Sequence, residues 1–412
     1  MSLKQRLFAA NTIHQCLYVL YFVLHHTGCL CFKIEKGMRI YYTRWSYVYT
    51  NIVRFLLLAS FMGGLAIKVK DEEQYEAMVG HLSPVSKFVL CFECTISTLI
   101  YTQIAFSFDF KRMKHLAYCH RLQSLDNLLL KDFPCVQWNY DKSSRKFNAL
   151  GSFVGFYFIG ISLGFVFYLS HCSCGWQSSI LIGFSYACMT CGPGTACFLF
   201  VAGMDMIRIR FRLIYKLLQI SFGTSRPSLH GDVTRLRKLK LLQYYFQEYS
   251  SMIPTINEIF SNVSGTGSFH DFAMLTNMGF MLFSLTMGGK ARPYEYIYTV
   301  LFMVPRFYKI LMIAVYGRLA LTSRRNCDHA FFQMGDYFSK PHLVRENLES
   351  FLHWRMHNNY YFSIGKIIRC DLSVLFMIFN SIANYMIILI QLQLQQNTIS
   401  KTMRKDVELI ST

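Results

Sequence analysis

Charge is what this chain has least of, and negative charge above all. Asp, Glu, Lys and Arg make up 16% of its 412 residues, against roughly a quarter in soluble domains. Hydrophobic residues reach 53%, in several runs long enough to cross a bilayer. This excludes an ordinary soluble domain and points to a polytopic, all-α membrane protein. Catalytic signatures are also missing. There is no Gly-x-Ser-x-Gly, no His-Glu-x-x-His, no Walker sequence and no carboxylate pair in a catalytic setting. Gly265-Thr-Gly267 is too short for a phosphate loop. The expectation is a non-enzyme without a cofactor. The net charge of +19 does not imply nucleic acid. No recognition helix or zinc-finger pattern accompanies it, and the basic residues lie between apolar spans. The fourteen cysteines are scattered, many in apolar segments, as small hydrophobes rather than a disulfide framework. The N-terminal apolar stretch has no small-residue cleavage site, so a signal peptide is not expected.

The apolar runs predict spans at about 45–67, 84–108, 148–170, 178–203, 271–289, 294–316 and 371–393. Lys and Arg orient them. Of the 42, 31 lie in segments 1–44, 109–149, 204–270 and 317–370, and 7 in the alternate connections and tail. The basic loops are therefore cytoplasmic. Seven transmembrane helices then put the N-terminus inside and the C-terminus outside, in one domain covering 1–412. Segment 9–32 is an eighth candidate. Asn11, His14, His25 and His26 suit a wet boundary, and 1–44 reads as a cytoplasmic or interfacial segment. The sequon Asn262-Val-Ser264 falls on the cytoplasmic side and should carry no glycan. Segments 109–133, 205–221, 233–260 and 343–369 have helical periodicity and should pack together in the cytoplasm. The stretch 224–231 is the best linker.

The last span carries amides, which are costly in lipid unless satisfied. Ser373, Met377, Asn380, Asn384, Ile387 and Gln391 share one helical face. Such a stripe packs on other protein or borders water. Asn384-Tyr385, five apolar residues and Gln391-Leu392 resemble the Thr-Tyr-(five hydrophobic)-Gln-Phe signature of insect gustatory receptors. Phe362-Ser-Ile-Gly365 and Asp371-Leu372 resemble that family's approach to its last helix. Asn384 and Leu392 depart from the usual Thr and Phe. The resemblance implies a gustatory receptor in the plasma membrane of chemosensory neurons, on their dendrites. Its implied activity is a ligand-gated, non-selective cation channel opened by small-molecule tastants. Its implied partners are membrane lipid and the other subunits of a homo- or heterotetramer, with a cytoplasmic helical anchor and four copies of segment 371–393 around the pore. Gln391 and Leu392 are then expected at the gate, Ile387, Asn384 and Asn380 along the pore, and Tyr385 packed on a neighbour.

Charges at bilayer depth are candidates for function. They are Arg54, Lys87, Glu93, Arg306 and Lys309. Glu93 most needs a partner, either Arg54 or Arg306. A ligand pocket is expected among outer halves of the middle spans, with Glu93, Phe167, Tyr168, Trp176, Tyr298 and Phe302 as its candidates. Gly151-x-x-x-Gly155 and Gly160-x-x-x-Gly164 allow close helix approach. Pro193 and Pro305 should kink their helices. Cys91-x-x-Cys94 and Cys188-x-x-Cys191 lie in apolar spans without nearby His, so no metal is expected. Cys172 and Cys174 lie in a short outside loop that allows a disulfide. A G-protein-coupled receptor would need the opposite orientation. A transporter would be expected to show inverted repeats, and no repeat is visible.

Overall fold

The computed structural model of the chain describes residues 13–34, 40–76, 84–136, 140–172, 175–222, 229–288, 293–338 and 341–411. The elements are α1 (Tyr18–His26), β1 (Phe32–Ile34), β2 (Ile40–Tyr42), α2 (Arg44–Lys70), α3 (Pro84–Asp132), α4 (Tyr140–Cys172) and α5 (Trp176–Phe222). There follow α6 (Leu229–Ile259), α7 (Ser261–Gly288), α8 (Pro293–Gln333), α9 (Pro341–His357), β3 (Ser363–Ile364), β4 (Ile368–Arg369) and α10 (Ser373–Ser411). Both strand pairs are short antiparallel hairpins.

Among the described residues, six helical segments are long and apolar enough to cross a membrane: 44–70, 87–132, 142–164, 176–222, 299–337 and 373–396. The seventh expected span lies in α7, whose 28 residues reach about 42 Å. Its buried His270, Asp271 and Asn277 dilute its hydropathy. Spans and cytoplasmic helices are continuous. The 49 residues of α3 and 47 of α5 extend about 70 Å each, more than twice the hydrocarbon thickness. The sequence divides α3 into a span and a separate cytoplasmic helix. The chain has no break there because Asp109-Phe-Lys-Arg changes polarity without a Gly or Pro.

Segment 9–32 does not form an eighth span where it is described. The nine residues of α1 reach about 13 Å, too little to cross. The segment instead tucks into the bundle. Tyr21 Oη meets His115 Nε2 at 2.8 Å, and Tyr101 donates to the Thr27 carbonyl at 2.8 Å. Helix α5 is the central element. It packs most extensively on α8, α4 and α2, and 89% of its apolar window is buried. The outward faces carry exposed Phe55, Leu56, Phe156, Ile159, Leu163 and Phe184. Such a belt suits lipid, not water.

The cytoplasmic halves build a second core around Phe246. Its ring lies 5.3 Å from Phe211, 5.5 Å from Phe331, 5.7 Å from Phe351 and 6.2 Å from Trp354. Beside it Arg210 pairs with Asp126, which also accepts from Tyr249 at 2.8 Å. Helix α9 stops at His357, short of the helical run expected to Arg369. Arg324 explains the stop, because it donates to the Asn358 carbonyl at 2.8 Å and to that of Tyr360. The chain then turns back at Gly365 (φ 59) and Lys366 (φ 66), a pair of left-handed residues that closes the β3–β4 hairpin. Gly365 N–H donates to Ser264 Oγ at 3.1 Å, and its Cα lies against Gly265. Ser264 of the sequon is thus wholly buried.

One packing expectation is corrected. A Cβ at Gly151 would meet Val19, but at Gly155, Gly160 and Gly164 nothing lies within 4 Å. That glycine ladder points away from protein. Pro193 and Pro305, the expected kink positions, both lie inside continuous helices, α5 and α8. Segment 223–228, most of the expected linker, lies outside the described residues, as do Cys174 and the side chain of Cys172.

Candidate functional site

Two features stand out: the last helix and a polar crevice inside the bundle. Helix α10 begins where Asp371 Oδ1 accepts from Ser373 N–H at 2.9 Å. It is held on one face only. Val374 is buried, Ile378 packs on the core, Met386 seats against Gly279, and the Phe379 ring lies 5.5 Å from Phe307. A Cβ at Gly279 would come within 2.6 Å of the Met386 sulfur, so glycine sets this approach. Tyr385 stands at the edge of the packed face, edge-on to Phe272 at 5.6 Å. The other face is bare. Asn380, Asn384, Ile387, Gln391 and Leu392 are all exposed, and only 6% of the span is buried. The chain therefore leaves the amide stripe uncovered.

The crevice lies between α4, α5, α7 and α8, is partly open, and has a cavity volume of about 60 Å³. Phe153, Tyr157, Phe158, Phe198, Phe302 and Tyr308 supply its aromatic wall. His270, Asp271, Arg306 and Lys309 supply charge and hydrogen-bonding groups. Pro193, Gly194 and Pro305 also line it. The prolines lack an N–H, so each also loosens the helix at the wall. Lys309 Nζ pairs with Asp271 Oδ1 at 2.6 Å, and His270 Nε2 meets Ser97 Oγ at 2.9 Å.

Of the expected pocket residues, Phe302 lines this crevice and Glu93 lies behind it. Glu93 accepts from Tyr186 Oη at 2.6 Å, and Tyr186 stacks on Phe302 with ring centroids 6.3 Å apart. Arg54 is not the partner of Glu93. It is bound to Asp109 with contacts of 2.5 and 3.1 Å, because both sit in the cytoplasmic halves of adjoining helices, α2 and α3. Trp176 is exposed at the first turn of α5 and does not line the crevice. The side chains of Phe167, Tyr168 and Tyr298 lie outside the described residues. The crevice also sits deeper than the outer halves where a pocket was expected, since Asp271 opens the α7 span at its cytoplasmic end. Tyr157, Tyr186 and His270 were missed. For the two tyrosines a polar side chain at mid-span was the available signal, but tyrosine is too common here to be read that way, and His270 lies one residue before the expected span.

A helical bundle of seven membrane-crossing elements, with a buried central helix and an uncovered last one, defines an all-α polytopic membrane protein. The profile of the family described as 7tm chemosensory receptor matches residues 7–396. The chain is 31% identical over 401 residues to gustatory receptor 47b of Drosophila melanogaster, covering 96% of this chain and 95% of that one. It is 27% identical to gustatory receptor 57a of the same fly, covering 94% and 93%. The chain belongs to the 7tm chemosensory receptor family, a family of receptors and not of enzymes. Its fold is that of the insect olfactory receptor OR5 from Machilis hrabei, with a TM-score of 0.62 at 14% identity, covering 90% of this chain and 97% of that one. The same receptor solved with eugenol gives 0.61 at 15% identity, covering 91% and 97%.

Proposed function

We propose that this protein is a gustatory receptor subunit forming a ligand-gated, non-selective cation channel that detects contact chemicals. The observation that carries the reading is the bare face of α10. An apolar, membrane-length helix exposes Asn380, Asn384 and Gln391 along a face that no other described part of the chain covers. In lipid each unsatisfied amide is costly, so the stripe calls for other protein or water. Four copies around an axis supply both. Gln391 and Leu392 then stand near the outer end, where Leu392 closes the path by dewetting and Gln391 borders it. Ile387, Asn384 and Asn380 line the path deeper in. A ring of amides without fixed charge discriminates poorly among cations. Tyr385 braces the helix on Phe272. Homologous gustatory receptors support the sensory role, and a structural neighbour bound to eugenol supports small-molecule ligands. The same reading places the protein in the plasma membrane of chemosensory neurons, with the cytoplasmic core around Phe246 as the anchor between subunits.

The test is whole-cell recording from cells expressing the chain, alone and with co-expressed family members, across a tastant panel with G-protein signalling blocked. Evoked cation current altered in block or selectivity by Gln391→Ala supports the proposal. Current unchanged by any substitution along 380–392 sinks the pore assignment. An outside-accessible C-terminal tag in intact cells is required by the topology. A tag reached only after permeabilisation refutes it.

A further inference from the structure

The crevice holds a buried cation that no carboxylate contacts among the described residues. Arg306 is buried, and among the described residues its guanidinium makes one hydrogen bond, from Nη1 to the Phe302 carbonyl at 2.7 Å. Its other contact is the Phe302 ring, 5.0 Å away. Among the described residues no carboxylate lies within ion-pair distance of it, and Glu93 and Asp271 attract it only from farther off. Asp271 is committed to Lys309 at 2.6 Å, and Glu93 to the Tyr186 hydroxyl at 2.6 Å. An arginine does not shed its proton, so the cation persists. A buried cation without a direct counter-ion is unfavourable, and an anion that reached it would relieve that cost. A second group points the same way. The hydroxyl of Tyr157, a residue that lines the crevice, is buried, has no hydrogen-bond partner among the described residues and lies within electrostatic reach of Arg306. A guanidinium fork and a hydroxyl donor together match the oxygens of a carboxylate. The remaining wall, built from Phe153, Phe158, Phe198 and Tyr308, matches an apolar body.

We infer that the crevice binds a monocarboxylate with an apolar or aromatic body, its head group on Arg306 and Tyr157. This deepens the ligand-gated reading above and rests on it only for the consequence of binding. The ligand's chemistry is shared by dissolved organic acids and by fatty acids drawn from the bilayer.

Binding to the purified full-length receptor tests the proposal. The probes are benzoate, phenylacetate, hexanoate and oleate, each compared with its methyl ester and the corresponding primary amine. At least one acid should bind about tenfold or more tightly than its ester and amine. Arg306→Gln should abolish that preference, and Arg306→Lys should keep part of it. Gly194→Leu fills the crevice without touching the charge. A Cβ there meets only Phe158, at 4.0 Å, so the helix tolerates it. It should reduce binding in a receptor that melts normally. Preference for the short acids marks a dissolved source, and preference for oleate a membrane source. Esters or amines binding as well as acids overturn the inference. So does binding by no acid, or acid binding unchanged in both Arg306→Gln and Gly194→Leu. Tastant-evoked current without acid binding sinks this inference alone. Acid binding in a receptor that never conducts sinks the channel reading instead.

Discussion

Removing the carboxylate of Asp109 isolates a buried arginine, and the cost can be worked from the contacts. Both side chains of the Arg54–Asp109 pair are more than nine-tenths buried. Arg54 also donates to the Gly28 carbonyl at 2.5 Å, to Asn51 Oδ1 at 3.1 Å and to the Ala105 carbonyl at 3.4 Å. The guanidinium thus ties the turn after α1 to α2 and α3. Asp109→Leu strips both charge-assisted bonds and leaves the cation buried, a loss of about 3–5 kcal/mol. With about 2.1 cal/mol/K of unfolding entropy per residue over 412 residues, that is a fall in Tm of roughly 3–6 °C. The double variant Arg54→Met/Asp109→Leu removes the orphaned charge and leaves the Gly28 and Ala105 carbonyls and Asn51 Oδ1 short of a donor. It should still recover part of the loss. Melting of the purified full-length receptor, followed by tryptophan fluorescence, reads all variants. Purely additive losses, or an unchanged Tm in Asp109→Leu, refute the reasoning.

Other sites give sharp expectations. Gly279→Leu should drive α10 off α7 at Met386, costing about 1–3 kcal/mol, and Met386→Ala should partly restore the melting temperature. Gly265→Ala should destabilise more than Gly267→Ala, because its Cβ would meet the Gly365 backbone at 3.0 Å while the other meets the Cys197 sulfur at 3.4 Å; melting curves of the two rank them. The Lys114 ammonium, hydrogen-bonded to Glu258, holds that carboxyl below its usual range. Its contribution is therefore complete above the ordinary carboxylate pKa and is lost as pH falls through the lowered one. Glu258→Gln should lower stability slightly at pH 7, with the difference from wild type vanishing in acid.

Much of the architecture was legible because lipid enforces simple rules. Apolar runs near twenty residues and basic loops located the spans, and the departure of Asn384 and Leu392 did not obscure the family. The amide stripe was legible because a period of 3.6 residues places Asn380, Asn384 and Gln391 on one side whatever they face. The crevice was less legible. Glu93 and Arg306 could be flagged as buried charges, but partners across helices cannot be read from spacing. Asp109 sits 55 residues from Arg54, and Tyr186 sits 93 from Glu93. The glycine ladder misled because small residues also occur where a helix meets lipid. The end of α9 was missed because its cause is Arg324, far off in sequence, capturing two carbonyls.

The central claim is that the bare face of α10 borders a water-filled path, and cysteine accessibility tests it most directly. Cysteines are placed singly at 380, 384, 387 and 391 on the bare face, and at 378, 382, 386 and 389 on the packed one. A charged, membrane-impermeant thiol reagent is then applied to conducting cells. Block confined to the first set is the predicted result. Block at the second set alone, or equal block at both, contradicts the account.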